Sequence, residues 1–220
     1  KDERRIMRKI ISLFQRNYDT NRLVRDEVVS WAEWVVGGEG VATEKLDGTA
    51  CMVKDGVLYK RYDAIQKPTQ LPPDGRPLSK KKLRPVPVNF IPARENPDPI
   101  TGHWPGWILV GDGSEDKWHK QAFNTGEKFP DWTYELIGPK ILGNPHGFLT
   151  HQLVPHGGII LNNVPREFDK IREYLVTHPN IEGIVWWRTH GDPESDLVKI
   201  KARDFGLPWP PAKKQNTGGE

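Results

Sequence analysis

The string Thr43-Glu44-Lys45-Leu46-Asp47-Gly48-Thr49 places a lysine after a strand-like run and directly before Asp-Gly. Asp-Gly is a turn pair that lets backbone come close to a ligand. A lysine at the mouth of an apolar-walled pocket becomes nucleophilic when desolvation and neighbouring cations favour its neutral amine. K-x-D-G alone has many chance matches, and an exposed lysine at a strand-to-turn junction explains it at least as well. An ordered set of further strings changes the weighing: Lys60-Arg61-Tyr62-Asp63, then Tyr134-Glu135-Leu136-Ile137-Gly138, then Ile181-Glu182-Gly183-Ile184-Val185-Trp186, then Leu197-Val198-Lys199-Ile200-Lys201. In the last string Lys199 and Lys201 share a face if it is a strand, since side chains repeat every two residues. Two lysines projecting together repel each other unless an anion lies between them, which points to a phosphate site.

EKLDGT, RYD, YELIG, IEGIVW and LVKIK, in this order, resemble motifs I, Ia, III, IV and V of the covalent nucleotidyltransferases, the superfamily of ATP-dependent polynucleotide ligases and mRNA capping enzymes. The stretches ELIGPKILGNPHG, LVPHGG, IEGIVWW and KIKARDFGLPWP are more specifically similar to the 5′-phosphate/3′-hydroxyl RNA ligases of vertebrates. The likeness runs from about Ala42 to Pro210. Lys45 and Arg61 are 16 residues apart and Glu182 and Lys199 are 17, short enough for neighbouring strands; the 90 residues from Lys45 to Glu135 hold a Pro-rich and Trp-rich insertion.

The resemblance implies a role for each matched residue. Lys45 is the nucleophile that attacks the α-phosphorus of ATP and carries AMP. Glu44, Asp47, Gly48 and Arg61 shape the nucleotide pocket, Arg61 by reaching ribose and phosphate. Glu135 binds a ribose hydroxyl. Glu182 orients the lysine or helps hold Mg2+ or Mn2+, with Glu135 as a second candidate ligand, and Lys199 and Lys201 neutralise the α-phosphate. These types suit the chemistry, because phosphoryl transfer needs chiefly positioning, a metal and cations on the equatorial oxygens. Hard carboxylates suit Mg2+ or Mn2+ and not zinc. Two departures stand out. The strand after Glu135 carries Gln152-Leu153-Val154 and no aromatic to stack on adenine, leaving Phe148, His151 and His156 as candidates. Only 19 residues follow Lys201, too few for the five-stranded OB barrel that DNA ligases and capping enzymes carry.

The elements that must position these residues are read from periodicity. Ile6, Met7, Ile10, Ile11 and Phe14 recur at helical spacing and predict an amphipathic helix over Glu3–Arg16; a second covers 26–36, so that 1–40 forms a helical cap. Strands are expected at 41–44, 49–54, 57–61, 133–137, 152–154, 158–161, 183–188 and 197–201, with Asp55-Gly56 as a two-residue hairpin turn. Residues 67–106 hold ten of the 20 prolines and read as long loops, and the Trp-punctuated stretch that follows reads as strands and turns. Arg166–Val176 reads as a helix with Phe168, Ile171 and Leu175 on one face, and 211–220 as a frayed tail. The expected architecture is α+β, an adenylation domain over 41–210 of antiparallel sheets with flanking helices and no C-terminal OB domain.

Composition agrees with this and excludes other classes. The chain has 220 residues, a net charge of +3, a mean hydropathy of −0.65, and nine Trp, seven Phe and five Tyr to fill a core. No apolar run approaches the roughly 18 residues that span a bilayer. A single cysteine, Cys51, excludes an internal disulfide framework and reads as a small buried hydrophobe. A cytoplasmic monomer is expected. Residues 76–84 hold five basic side chains and no acid, so Arg76, Lys80, Lys81, Lys82 and Arg84 are candidate RNA contacts, with a solvated face as the equal alternative. The histidines read as loop or core residues rather than metal ligands, with His156, beside two glycines, as the exception able to approach a base. The sequence thus reads as an ATP-dependent RNA ligase that joins 5′-phosphate and 3′-hydroxyl ends. A DNA ligase or a guanylyltransferase with the same motifs, and a non-catalytic RNA-binding module, are the rivals.

Overall fold

A computed structural model of the chain describes residues 10–71 and 82–211. They form two compact units, Gly48–His156 on one hand and Ile10–Asp47 with the residues from Gly157 onward on the other. The chain passes from one to the other at Asp47–Gly48 and returns at His156–Gly157.

The unit of residues 48–156 is built on a six-stranded antiparallel sheet. Its strands are β5 (Thr49–Lys54), β6 (Val57–Ile65), β7 (Ile91–Pro92), β8 (His103–Leu109), β9 (Trp132–Ile137) and β10 (Gln152–Pro155), in the order β10-β9-β5-β6-β8-β7. Asp55 and Gly56 join β5 to β6 with φ of 52° and 73°, as a type I′ turn requires. Because side chains alternate, one face buries Cys51, Val53, Leu58, Tyr134, Leu136 and Leu153, covered by Ala122 of α2 (Lys117–Phe123). The other face carries Ala50, Met52, Arg61, Trp107, Thr133 and Glu135, by the registers Ala50↔Glu135, Met52↔Thr133 and Arg61↔Trp107.

The second unit has a four-stranded sheet of β1 (Ile11–Ser12), β12 (Leu197–Lys201), β11 (Gly183–Trp187) and β4 (Val41–Lys45), in that order, with β1 parallel to β12 and the other pairs antiparallel. A hairpin of β2 (Phe14–Arg16) and β3 (Val24–Val28), the short helix α1 (Glu33–Val36) and α3 (Phe168–Thr177) complete it. Ala42, Ile184, Trp186, Val198 and Ile200 point from the sheet into a core with Phe14, Val35, Ile171 and Leu175. The expected amphipathic face of α3 is the one it buries.

The fold is α+β with mostly antiparallel sheets, and the strands that carry the motifs lie where the alternation puts them. Four expectations are corrected. Residues 1–9 lie outside the described residues, and Ile10–Arg16 is not the end of a helix but β1 and β2. Pairing with β12 decides this: Leu13 N–H bonds to Lys199 O at 2.8 Å and Phe14 is buried, a non-local gain that overrides a short helical spacing. The helix expected over 26–36 is reduced to α1, because residues up to Val28 pair with β2. Gly158–Leu161 makes only a single bridge, Thr43↔Ile160, and no strand. Residues 103–106 belong to β8 and 117–123 form α2, where loop and strand were expected. Residues 212–220 lie outside the described residues.

Candidate active site

The second unit gathers a dense set of charges. Thr43 and Lys45 of β4, Gly183 and Val185 of β11, and Lys199 and Lys201 of β12 share one sheet face, by the registers Lys45↔Gly183↔Lys201 and Thr43↔Val185↔Lys199. Gly183 separates the two outer lysines, and it has to be glycine: a Cβ there would meet Ile200 O at 2.3 Å and Lys201 Cα at 2.9 Å. Lys45 Nζ donates to Glu182 Oε2 at 2.6 Å and to Leu46 O at 3.3 Å. The Glu182 residue is only 5% exposed, while the Lys45 side chain keeps 24%. The nucleophile candidate is thus reachable and its carboxylate partner is shielded.

Burial dominates the electrostatics. It pushes the Glu182 carboxyl above its ordinary range, and the Asp47 charge adds to the rise, while the charges of Lys45 and Lys201 and the Lys45 hydrogen bond oppose it. Burial likewise lowers Lys199, with the charges of Lys45 and Lys201 adding and those of Asp204 and Glu182 opposing, to about 8. Strongly perturbed groups close enough to feel one another's charge mark functional sites. Asp47 accepts a hydrogen bond from Trp209 Nε1 at 2.8 Å, and the Arg203 guanidinium donates to Trp209 O at 3.1 and 2.8 Å. Glu44 lies on the opposite face from Lys45, with Ala42 and Ile184, where burial raises its carboxyl; burial also raises the Tyr174 phenol of α3, and the Glu44 charge adds to that rise.

In the unit of residues 48–156 the matched residues are held by hydrogen bonds. Glu135 Oε1 accepts the Gly48 N–H at 2.9 Å, an approach that a side chain at 48 would block, since its Cβ would meet Leu136 O at 2.2 Å. Glu135 Oε2 pairs with His156 Nε2 at 2.8 Å. Arg61 lies over the Trp107 ring at 5.3 Å and reaches Asp63 Oδ1 at 3.3 Å. Of the three candidate adenine partners, His151 is buried and stacked on Trp118 of α2 at 4.4 Å, Phe148 lies by His146, and the His156 ring has both nitrogens engaged. Val154 sits beside Glu135 by register, an apolar neighbour. Among the candidate RNA contacts, Lys82 is exposed and Arg84 stacks its guanidinium on Tyr62 at 3.9 Å; Arg76, Lys80 and Lys81 lie outside the described residues.

Nothing in the sequence context of Trp107 or Trp209 says that the one will stack on Arg61 and the other hold Asp47. The KIKARDFGLPWP likeness contained Trp209 without assigning it a role.

An amine hydrogen-bonded to a buried carboxylate, flanked by two more amines, makes a cluster suited to binding an anion and attacking it. The family profile described as RNA ligase 1 matches residues 124–217, which include Glu135, Glu182, Lys199 and Lys201. Proteins named RNA ligase 1 from Mus musculus and Danio rerio are 30% and 31% identical over 231 and 230 aligned residues, covering 77% and 78% of this chain and 68% and 69% of their own lengths. One from Pongo abelii is 27% identical over 77% of the chain. The chain belongs to the RNA ligase 1 family. Among the described residues no helix is long and apolar enough to cross a membrane.

Proposed function

We propose that this protein is an ATP-dependent RNA ligase of the lysyl-adenylate type, with the adenylation fold of the covalent nucleotidyltransferases. The observation that carries the reading is the 2.6 Å contact of Lys45 Nζ with the buried Glu182 carboxylate, on a face shared with Lys199 and Lys201. Burial makes Glu182 a better proton acceptor than an exposed carboxylate, so it takes the ammonium proton and leaves a neutral amine. That amine forms a bond to the α-phosphorus of ATP as the bond to pyrophosphate breaks. Lys199 and Lys201 neutralise the charge that builds on the phosphorus oxygens. AMP then passes from Lys45 to an RNA 5′-phosphate, which forms an anhydride. An RNA 3′-hydroxyl next attacks the 5′-phosphorus and expels AMP.

Among the described residues no three His, Cys, Asp or Glu side chains gather into a metal cage. For Glu182 a metal role is the alternative to taking the Lys45 proton, since a protonated carboxyl no longer binds a hard cation; ionised, and close enough to Asp47 to feel its charge, it would hold a divalent ion that arrives on nucleotide phosphates and asks for only one or two carboxylates. Mg2+ or Mn2+ bound there supplies Lewis-acid charge neutralisation to the phosphates. Glu135, whose two oxygens are held by Gly48 and His156, is assigned to the sugar rather than to the ion. For Arg61 and Glu135 the proposal keeps phosphate and ribose contacts, which their fixed geometry supports. Gly48 N–H is held by Glu135, and Glu44, on the far face from Lys45, is left a supporting place.

The test is sealing of a nicked or single-stranded RNA with 5′-phosphate and 3′-hydroxyl ends, with a matched DNA and α-labelled GTP as rivals. Sealing of RNA with ATP, and none by Lys45→Ala, supports the reading. Sealing of DNA alone, or labelling by GTP alone, replaces it with one of the two enzymatic rivals. RNA binding with no sealing and no adduct leaves the binding module.

A further inference from the structure

His156 is an ionisable ring held at both nitrogens in the unit of residues 48–156, and the proposed reaction gives it no role. Its backbone N–H bonds to Thr133 O at 3.0 Å and its carbonyl accepts the Trp132 Nε1–H at 2.9 Å, which carries the β9–β10 ladder one residue beyond Pro155. This register puts its side chain on the face of Thr133 and Glu135. There the ring bridges the two, Nδ1 to Thr133 Oγ1 at 2.9 Å and Nε2 to Glu135 Oε2 at 2.8 Å. Since Glu135 is a carboxylate acceptor, Nε2 carries the proton, and Nδ1 then accepts from the Thr133 hydroxyl when the ring is neutral. Gly48 N–H fixes the other carboxylate oxygen at 2.9 Å.

The result is a linear chain, Thr133–His156–Glu135–Gly48, in which every link is a hydrogen bond and both carboxylate oxygens are held. Each oxygen nevertheless retains a lone pair to accept a further donor. A carboxylate held this way meets a sugar hydroxyl without having to be ordered first, and the saved ordering entropy appears as affinity and discrimination. We infer that His156 is a positioning residue that aims Glu135 at one ribose hydroxyl of the nucleotide, and so sets the preference for a ribonucleotide over its deoxy analogues. The inference rests on the proposed nucleotidyltransferase reading and on Glu135 as the ribose contact.

The experiment measures adduct formation at sub-saturating nucleotide with ATP, 2′-deoxyATP and 3′-deoxyATP, for the wild type, His156→Ala, His156→Gln and Glu135→Gln, all first checked by thermal melting. A hydrogen bond to a charged group contributes roughly 1.5–3 kcal/mol, so His156→Ala is expected to lose about 10- to 100-fold with ATP, mostly in KM. With one of the two deoxynucleotides, the one lacking the hydroxyl that Glu135 receives, that loss shrinks to less than about threefold. His156→Gln, whose amide can still donate to Glu135, recovers part of the ATP rate. An equal loss with all three nucleotides in folded variants overturns the inference while leaving the ligase reading intact. No adduct with any nucleotide in the folded, unadenylylated wild type overturns both.

Discussion

The two units hold their matched residues in opposite ways. In the unit of Ile10–Asp47 and the residues from Gly157 onward, three lysines share a sheet face and one of them bonds a buried carboxylate, and the cost of burying charge goes into altered proton affinity: Glu182 up, Lys199 down to about 8. In the unit of Gly48–His156, the Glu135 carboxylate is held by the Gly48 N–H and the His156 ring, and the Arg61 guanidinium lies over the Trp107 ring and reaches Asp63. A group whose protonation is unsettled by burial can exchange protons and charge, whereas a group locked by hydrogen bonds can only recognise. On the proposed reading, the contrast gives chemistry to the first unit and nucleotide recognition to the second.

The sharpest way to break that contrast is Glu182→Gln, which keeps the volume but removes the proton acceptor beside Lys45. Adduct formation should fall about 10²- to 10³-fold, as for other losses of a buried catalytic group, read as initial rate of label incorporation. A loss below about threefold would place the proton acceptor elsewhere.

Next comes Lys199→Met, which combines activity with stability. A lysine whose folded-state value lies at about 8, below its ordinary 10.5, binds fewer protons when folded than when unfolded in between. Stability of the wild type therefore rises with pH from about 8 to about 10.5, and below that window the buried charge is a standing cost. Lys199→Met should raise the melting temperature at pH 7, and the gain should shrink as pH climbs towards 10. Adduct formation should fall at every pH, and the wild-type rate should decline above about 8 as Lys199 loses its charge. A melting gain that does not change with pH would contradict the assignment.

The smallest effect belongs to the other unit. Thr133→Val removes only the hydroxyl that holds His156 Nδ1, and a neutral hydrogen bond is worth about 1 kcal/mol, or roughly fivefold in nucleotide affinity. The pH dependence of the rate should keep its wild-type shape. A displaced pH profile would mean that this unit, too, works through proton exchange.

Much of the charged cluster was legible from spacing. L-V-K-I-K puts two lysines on one side of any strand, and Glu182-Gly183 opens the strand that lies between them and Lys45. The strands were legible because alternation is a local signal. The N-terminal segment was not, since Ile10, Ile11 and Phe14 satisfy a helical period while its conformation is decided by pairing of Ile11 and Ser12 with residues nearly 190 positions later. α2 was missed because its seven residues, KWHKQAF, are too few for periodicity to decide and are held by packing of Ala122 under the sheet. The hydrogen-bonded chain at Glu135 was half legible: His156 stood out beside its glycines, but its partners follow from a β9–β10 register that spacing does not reveal.

The most direct measurement is to incubate the purified, folded protein with α-labelled ATP and Mg2+, denature it, and map the label by peptide mass spectrometry. The account predicts one AMP on the peptide containing Lys45, held through an acid-labile, base-stable phosphoramidate, and no label on Lys45→Ala. Label on Lys199 or Lys201 instead, or none on protein confirmed free of bound AMP beforehand, would contradict it.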